Sequence, residues 1–329
     1  MLMSGVTSLS LQQVNEQWNL FKDRFSRTYT SPEEEISRYT VFTENLKTIF
    51  LHNMAADKGH YSYWLGINAF ADLTNKEFEE QYTGLKITPR GRKVDEKLLR
   101  YNLSSLPKET DWRDEKCVTH VKFQGGCGDS YAFSATGALE GHRCIRTGKL
   151  VSLSEQNILD CTYNNTSRDE GCAGGDPNNA FQYVMDNGGI DTEESYPYKA
   201  KVGKCEFSKK DVGAIEKGFY DIPEGNEIVL QAAVAWIGPV SACAYSPGFR
   251  FYQHGVYDCG NKSDSSIMVS NLPKHAMLVV GFDQTVEGED YWILKNSWGT
   301  SWGIRGYMRL ARNKRNTCGI ASYASYPVV

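Results

Sequence analysis

The stretch Gln124-Gly125-Gly126-Cys127-Gly128-Asp129-Ser130-Tyr131-Ala132-Phe133-Ser134-Ala135 decides how the rest of this chain is read. It predicts a glycine-rich turn that delivers one side chain to the start of a helix running on through Thr136-Gly137-Ala138-Leu139-Glu140-Gly141. A group placed there meets the positive end of the helix dipole, which favours developing negative charge. The side chain so placed is the Ser130 hydroxyl. A hydroxyl does not ionise at rest, so it becomes a nucleophile only with a neutral base beside it, a group that orients the base, and donors for the oxyanion.

Working outward, candidates for each role are present. His275 lies in Pro273-Lys274-His275-Ala276-Met277-Leu278-Val279-Val280-Gly281, and Asn296 in Tyr291-Trp292-Ile293-Leu294-Lys295-Asn296-Ser297-Trp298-Gly299. A lone histidine before an apolar run is more often structural than catalytic; the combination with the Ser130 turn makes the difference. Together these segments resemble the active site of papain and cathepsin L type cysteine proteases. That family's pattern is Q-G-x-C-G-S-C-W-A-F-S, with the second cysteine as nucleophile; here Ser130 and Tyr131 stand where it has Cys and Trp. The resemblance implies His275 as base, Asn296 as its orienter under a shielding Trp298, and Gln124 with the Ser130 N–H as oxyanion donors. Gly171-Cys172-Ala173-Gly174-Gly175 resembles the glycine wall of the substrate cleft, which puts Gly174, Gly175 and the following Asp176 at the substrate. Six cysteines match family bridge positions, implying Cys127–Cys172, Cys161–Cys205 and Cys259–Cys318. Sequence alone allows 15 connectivities. Cys144 and Cys243 read as buried small hydrophobes, and Cys117 as free or joining two molecules.

The amino-terminal third carries a second pattern. Val14, Trp18, Phe21 and Phe25 recur as on one helix face. Ser31-Pro32-Glu33-Glu34 predicts another helix start, with Ser31 as N-cap and Glu34 at the capping-box position. From there Glu34, Arg38, Phe42, Asn45, Ile49 and Asn53 repeat every three or four residues, and Gly66-Ile67-Asn68-Ala69-Phe70-Ala71-Asp72 follows. Both resemble the motifs of cathepsin L type propeptides, which implies an inhibitory helical domain whose tail crosses the cleft backwards relative to a substrate. Lys86 to Ser105 reads as an exposed basic linker and processing site. The expected fold is therefore α+β: a propeptide and linker over 1–105, then a papain-like domain over 106–329. Its helical left part covers about 116–218 and its β-barrel-like right part about 219–329.

Bulk properties agree with this. The chain has 329 residues, net charge −4 and 40% hydrophobic residues, with no long basic run to suggest nucleic acid. No segment reaches the roughly 20 apolar residues a membrane span needs. Residues 1–11 lack the basic start and apolar core of a signal peptide. Nine cysteines, all after Asp111, nevertheless suggest the secretory pathway, extracellular or vesicular; the two fit if a leader is missing from this sequence. Sequons at Asn102, Asn164, Asn165 and Asn261 add mild support.

The serine has several readings. An inactivated protease would normally keep C-G-S-S-W, whereas Asp129-Ser130-Tyr131 clusters three differences. The Ser-Tyr pair resembles silicateins, sponge proteins that condense silica, as does the serine-rich Ser263-Asp264-Ser265-Ser266 and Ser270 ahead of His275-Ala276-Met277. That resemblance implies silicic acid or a silicon alkoxide as substrate, Ser130 hydrogen-bonded to His275, silanols held by Ser265 and Ser266, no metal or organic cofactor, and self-assembly into filaments. A binding pseudoprotease similar to testin, or a weak serine peptidase, stays open. Lys274 is expected to keep His275 neutral, and a charged Asp129 to oppose it.

Overall fold

The computed structural model describes residues 9–87, 91, 93–101, 103–163, 169–260 and 274–329. Two helices open it, α1 (Leu11–Arg24) and α2 (Pro32–Ala56). They pack through Trp18, Phe21 and Phe42, whose rings meet in pairs at 5.1–5.7 Å. Ser31 caps α2 by accepting the Glu34 N–H, as its position predicts. Glu34 does not close the capping box; its carboxylate reaches Thr30, accepting the N–H at 2.7 Å and the hydroxyl at 2.6 Å.

The recurring residues of α2 form a hydrogen-bonding face. Phe42 and Ile49 are buried. Asn53 takes both the N–H and the carbonyl of Leu65, at the end of β1 (Tyr63–Leu65). Asn45 donates to the carbonyls of Ala71 and Leu73, and Arg38 to that of Asp72 and to Glu77 on α3 (Asn75–Tyr82). From the end of β1 the chain runs irregularly through 67–73, so the helix supplies partners that its buried backbone groups need.

In its described part the linker is largely exposed, as expected, yet it is anchored at single points to the rest of the protein. Lys93 exchanges hydrogen bonds with Asp221, its N–H to the carboxylate at 2.9 Å and its carbonyl from the Asp221 N–H at 2.7 Å. Tyr326 donates to Asp95, and Leu98 is buried. One extended pass over a distant surface has no periodicity to read in the sequence.

The rest of the chain contains β2 (Thr110–Asp111), α4 (Ser130–Thr147), α5 (Glu155–Thr162), α6 (Pro177–Asn187), β3 (Ile190–Asp191) and β4 (Val212–Ala214). It continues through β5 (Gly218–Asp221), α7 (Glu227–Trp236), β6 (Val240–Tyr245), β7 (Tyr252–Tyr257), β8 (Lys274–Gln284), β9 (Asp290–Lys295), β10 (Tyr307–Ala311) and β11 (Ala324–Val328). The main sheet runs β1-β7-β10-β9-β8-β6-β11-β5, with β2 added on β8. Its pairings are antiparallel except β7 with β10. Helix α4 lies against β8, and its glycines allow the approach: a Cβ on Gly137 would sit 2.8 Å from Leu278, and one on Gly141 2.7 Å from Pro239. That packing brings Ser130 to the strand carrying His275.

Four disulfides are formed. Three are those the family resemblance implies, Cys127–Cys172, Cys161–Cys205 and Cys259–Cys318. The fourth, Cys117–Cys144, corrects the reading of Cys144 as an unpaired hydrophobe and of Cys117 as free or intermolecular. It closes a 27-residue span, a loop whose entropy in the unfolded chain is worth about 3–4 kcal/mol in the chain-entropy account. Cys243 is free and buried.

Candidate active site

Ser130 is the first residue of α4 and is fully buried. The turn before it is tight because a Cβ on Gly128 would stand 2.8 Å from the Cys172 carbonyl. The Ser130 hydroxyl accepts the Ala276 N–H at 3.2 Å. The expected bond to His275 is not made: His275 Nδ1 is buried with no hydrogen-bond partner.

On the facing strands, His275 Nε2 meets Asn296 Oδ1 at 2.7 Å. That oxygen also accepts the Ser297 N–H. An amide oxygen only accepts, so Nε2 carries the proton and Nδ1 presents a lone pair. Trp298 covers the ring at 4.4 Å between centroids and is itself buried. Burial holds the His275 pKa down at about 4, against the opposing pull of Asn296 and the Tyr82 carbonyl. The expected control by Lys274 is absent from these causes; burial lowers Lys274 as well.

Gln124 is buried, its side-chain oxygen accepting from the Ser297 hydroxyl at 2.7 Å. Its amide donates to the Cys127 carbonyl at 2.7 Å and, more weakly, to the Tyr82 carbonyl at 3.4 Å. Tyr82 ends α3, so a backbone oxygen from the amino-terminal region stands at the oxyanion donor and beside His275. The chain then continues along the glycine wall. Gly175 donates to the Gly84 carbonyl at 3.1 Å, Lys86 donates to the Gly175 carbonyl at 2.9 Å, and Leu85 bridges Gly175 in parallel. A Cβ on Gly174 would stand 1.6 Å from the Gly84 carbonyl, and one on Gly84 2.4 Å from the Gly128 carbonyl. Three glycines thus let two backbones touch. Above the base, Phe70 and Phe78 meet Trp298 edge-on at 5.6 and 5.1 Å.

A scan of family models matches residues 106–328 to the papain family cysteine protease model and 18–78 to the cathepsin propeptide inhibitor domain. The chain belongs to the papain family. It is 44% identical to a cathepsin L-like peptidase of Aedes aegypti, over 99% of this chain and 97% of that protein. It is 46% identical to cathepsin L1 of Drosophila melanogaster, over 96% and 85%. The digestive procathepsin L 3 of Tenebrio molitor superposes with a TM-score of 0.85 at 39% identity, covering 98% of this chain and all of that one. The fold is therefore papain-like with a propeptide domain ahead of it, and the segment 82–87, which follows that domain in the chain, runs along Gly174–Gly175.

Within that family frame, the remaining predicted residues fall as follows. Asp176 does not offer a free carboxylate to the cleft. It is fully buried at the N-cap of α6, accepting the Asn178 N–H at 2.9 Å and the Tyr323 hydroxyl at 2.8 Å. Ser263, Asp264, Ser265, Ser266 and Ser270, and the four sequon asparagines, lie outside the described residues. Among the described residues no group of three or more His, Cys, Asp or Glu is arranged to hold a metal, and no helix is long and apolar enough to cross a membrane. Sequence reasoning missed Tyr82, Gly84 and Leu85, which occupy the cleft, and Tyr198 and Tyr323, which support its wall. None carries a local signature; only the expectation that a propeptide tail crosses the cleft pointed near the first three.

Proposed function

We propose that this papain-family chain is a silicatein-like catalyst, hydrolysing silicon alkoxides and condensing silica through Ser130, His275, Asn296 and Gln124. The observation that carries the reading is the fully buried His275, with Nε2 on Asn296 and Nδ1 unpartnered, a setting in which burial favours the neutral ring. A thiol protease gains from an imidazolium that pairs with its thiolate; a serine needs a neutral imidazole. In the proposed cycle Ser130 Oγ attacks silicon and passes its proton to His275 Nδ1. The leaving alcohol takes that proton. Water, deprotonated by the same nitrogen, then attacks silicon to form a silanol as the Ser130 Oγ–Si bond breaks, and the imidazolium returns the proton to Oγ. Silicon expands its coordination readily, which suits a weak nucleophile. The Ser130 N–H and Gln124 would bear the developing charge once the Tyr82 carbonyl has left. The route is secretory, with Ser265 and Ser266 holding silanols and filaments as the assembled form.

A binding pseudoprotease is the second reading. It is favoured by the Ser130 hydroxyl being turned to the Ala276 N–H rather than to His275. The relatives named as peptidases support a third, residual peptide hydrolysis through serine. The processed protein assayed in parallel on a silicon alkoxide and a fluorogenic peptide separates them. Silica yield should fall about 10²–10⁴-fold in His275→Ala, the usual worth of a general base, and as steeply in Ser130→Ala. Yields unchanged in both variants would sink the catalytic reading. Peptidase activity appearing in Ser130→Cys would show that the cleft still admits peptides.

A further inference from the structure

The residue before the nucleophile faces away from the cleft, into a chain of three oxygens. Asp129 Oδ2 lies 2.7 Å from the Tyr198 hydroxyl, and that hydroxyl lies 2.8 Å from the Gln124 backbone carbonyl. Two short contacts need two hydrogens. Tyr198 supplies one, and the Gln124 carbonyl has none to give. If Asp129 were ionised, the phenol could satisfy one acceptor well and would leave the other at contact distance without a proton. We infer that Asp129 is held as the neutral acid, donating to Tyr198, which donates to the Gln124 carbonyl, and that this relay makes Asp129 a positioning residue for the Gln124–Ser130 turn.

Three further observations agree. Asp129 is fully buried and its second oxygen has no partner, a costly place for a charge. It stands at the N-cap of α4 yet makes no side-chain cap bond, so the helix does not hold an anion there. No cation among the described residues pairs with it. The facing titratable groups are Tyr198 from the segment after β3, Glu155 from α5 and Tyr131 on α4 itself. Glu155 in turn is paired with Lys122, which also binds Glu140. Burial raises the Asp129 carboxyl well above the carboxylate range, with the Tyr198 contact opposing and Glu155 adding. A neutral acid has two consequences for the site. It fixes the backbone from which Gln124 reaches the oxyanion position, and it leaves the positive end of α4 uncancelled at Ser130.

The relay is tested by infrared difference spectroscopy on the full chain, which reads Asp129 directly; only the rate arm rests on the proposed Ser130 chemistry. At neutral pH the wild type minus Asp129→Asn spectrum should show a protonated carboxylic acid band that moves on isotope labelling of aspartate. Tyr198→Phe should keep that band and shift it, because its hydrogen-bond acceptor is gone. A carboxylate band in its place, as a Tyr198 hydrogen shared between two acceptors would give, overturns the proposal. In the rate arm, the wild type should lose activity at alkaline pH as Asp129 ionises. Asp129→Asn, whose amide donates as the acid did, should lack that limb. Asp129→Ala should run about fivefold slower than the wild type at neutral pH, the worth of one hydrogen bond, and should also lack the alkaline limb. An alkaline limb that persists in Asp129→Asn overturns the positioning role.

Discussion

The two walls of the cleft differ in how the propeptide holds them. The base wall, on β8 and just after β9, sets His275 on Asn296 beneath Trp298. The propeptide covers it with rings, Phe70 and Phe78. The nucleophile wall, from Gly128 to Tyr131 and along Gly174–Gly175, is held by backbone pairing. Ring packing tolerates small shifts, whereas glycine-to-glycine backbone contact does not. The base wall thus lies under an adaptable cover, and the nucleophile wall on a rigid frame.

The largest break should come at the base wall. Trp298→Ala removes a fully buried indole that His275, Trp302, Phe70 and Phe78 all touch. A cost of about 3–5 kcal/mol is expected, as for other buried large-to-Ala changes. Calorimetry should show a clear fall in Tm; a change of a degree or less would mean that the cover is not structural.

Next is the base itself. The folded His275 value of about 4 lies below its ordinary 6.5. Between those values the unfolded chain binds a proton that the folded chain refuses. The stability from His275 is therefore complete above about pH 6.5 and falls as the pH drops through 4, by up to about 3 kcal/mol. NMR titration of His275 should place it near 4 in the full chain. The value should rise on removal of the propeptide, which contributes the Tyr82 carbonyl and the rings over Trp298. Lys274→Ala should leave the curve in place, since burial and not that charge sets it. A full-chain value at 6.5 would remove the argument that the serine faces a neutral base by design of the cleft.

How much of this was legible follows the same division. Ser130, Gln124, His275 and Asn296 sit in contiguous motifs, so each could be placed from its neighbours in the chain. The α2 repeat was legible as a pattern, but its purpose, binding the backbone of 65–73, needed the fold. Tyr82, Gly84, Tyr198 and Tyr323 act through single contacts with distant segments, and a lone tyrosine or glycine has no local signature. Asp129 turns its carboxyl to Tyr198, a direction that adjacency in sequence does not give. Cys117–Cys144 was missed because no family position suggested the pair.

The nucleophile wall should break at Gly84. A methyl there would stand 2.4 Å from the Gly128 carbonyl, and that backbone is fixed by the hydrogen bond from the Gly128 N–H to the Cys172 carbonyl at 2.9 Å. Gly84→Ala should cost the cleft contact about 1–3 kcal/mol, the usual range for overpacking. Hydrogen exchange of the Gly175 and Lys86 amides in the full chain should then quicken, and unchanged exchange would show that the propeptide can shift sideways.

The smallest effect sharpens the comparison most. Lys86 pairs with Glu170 across the same contact, and both side chains are about half exposed. If backbone pairing holds this wall, the ion pair adds little: exposed pairs are worth about 0–1 kcal/mol and weaken with salt. Lys86→Ala should therefore change exchange at Gly175 and Lys86 less than about fivefold, and raising the salt should do no more. A larger loss would mean that charge, and not glycine-to-glycine contact, seats the propeptide here. Backbone pairing would then not be what sets the two walls apart.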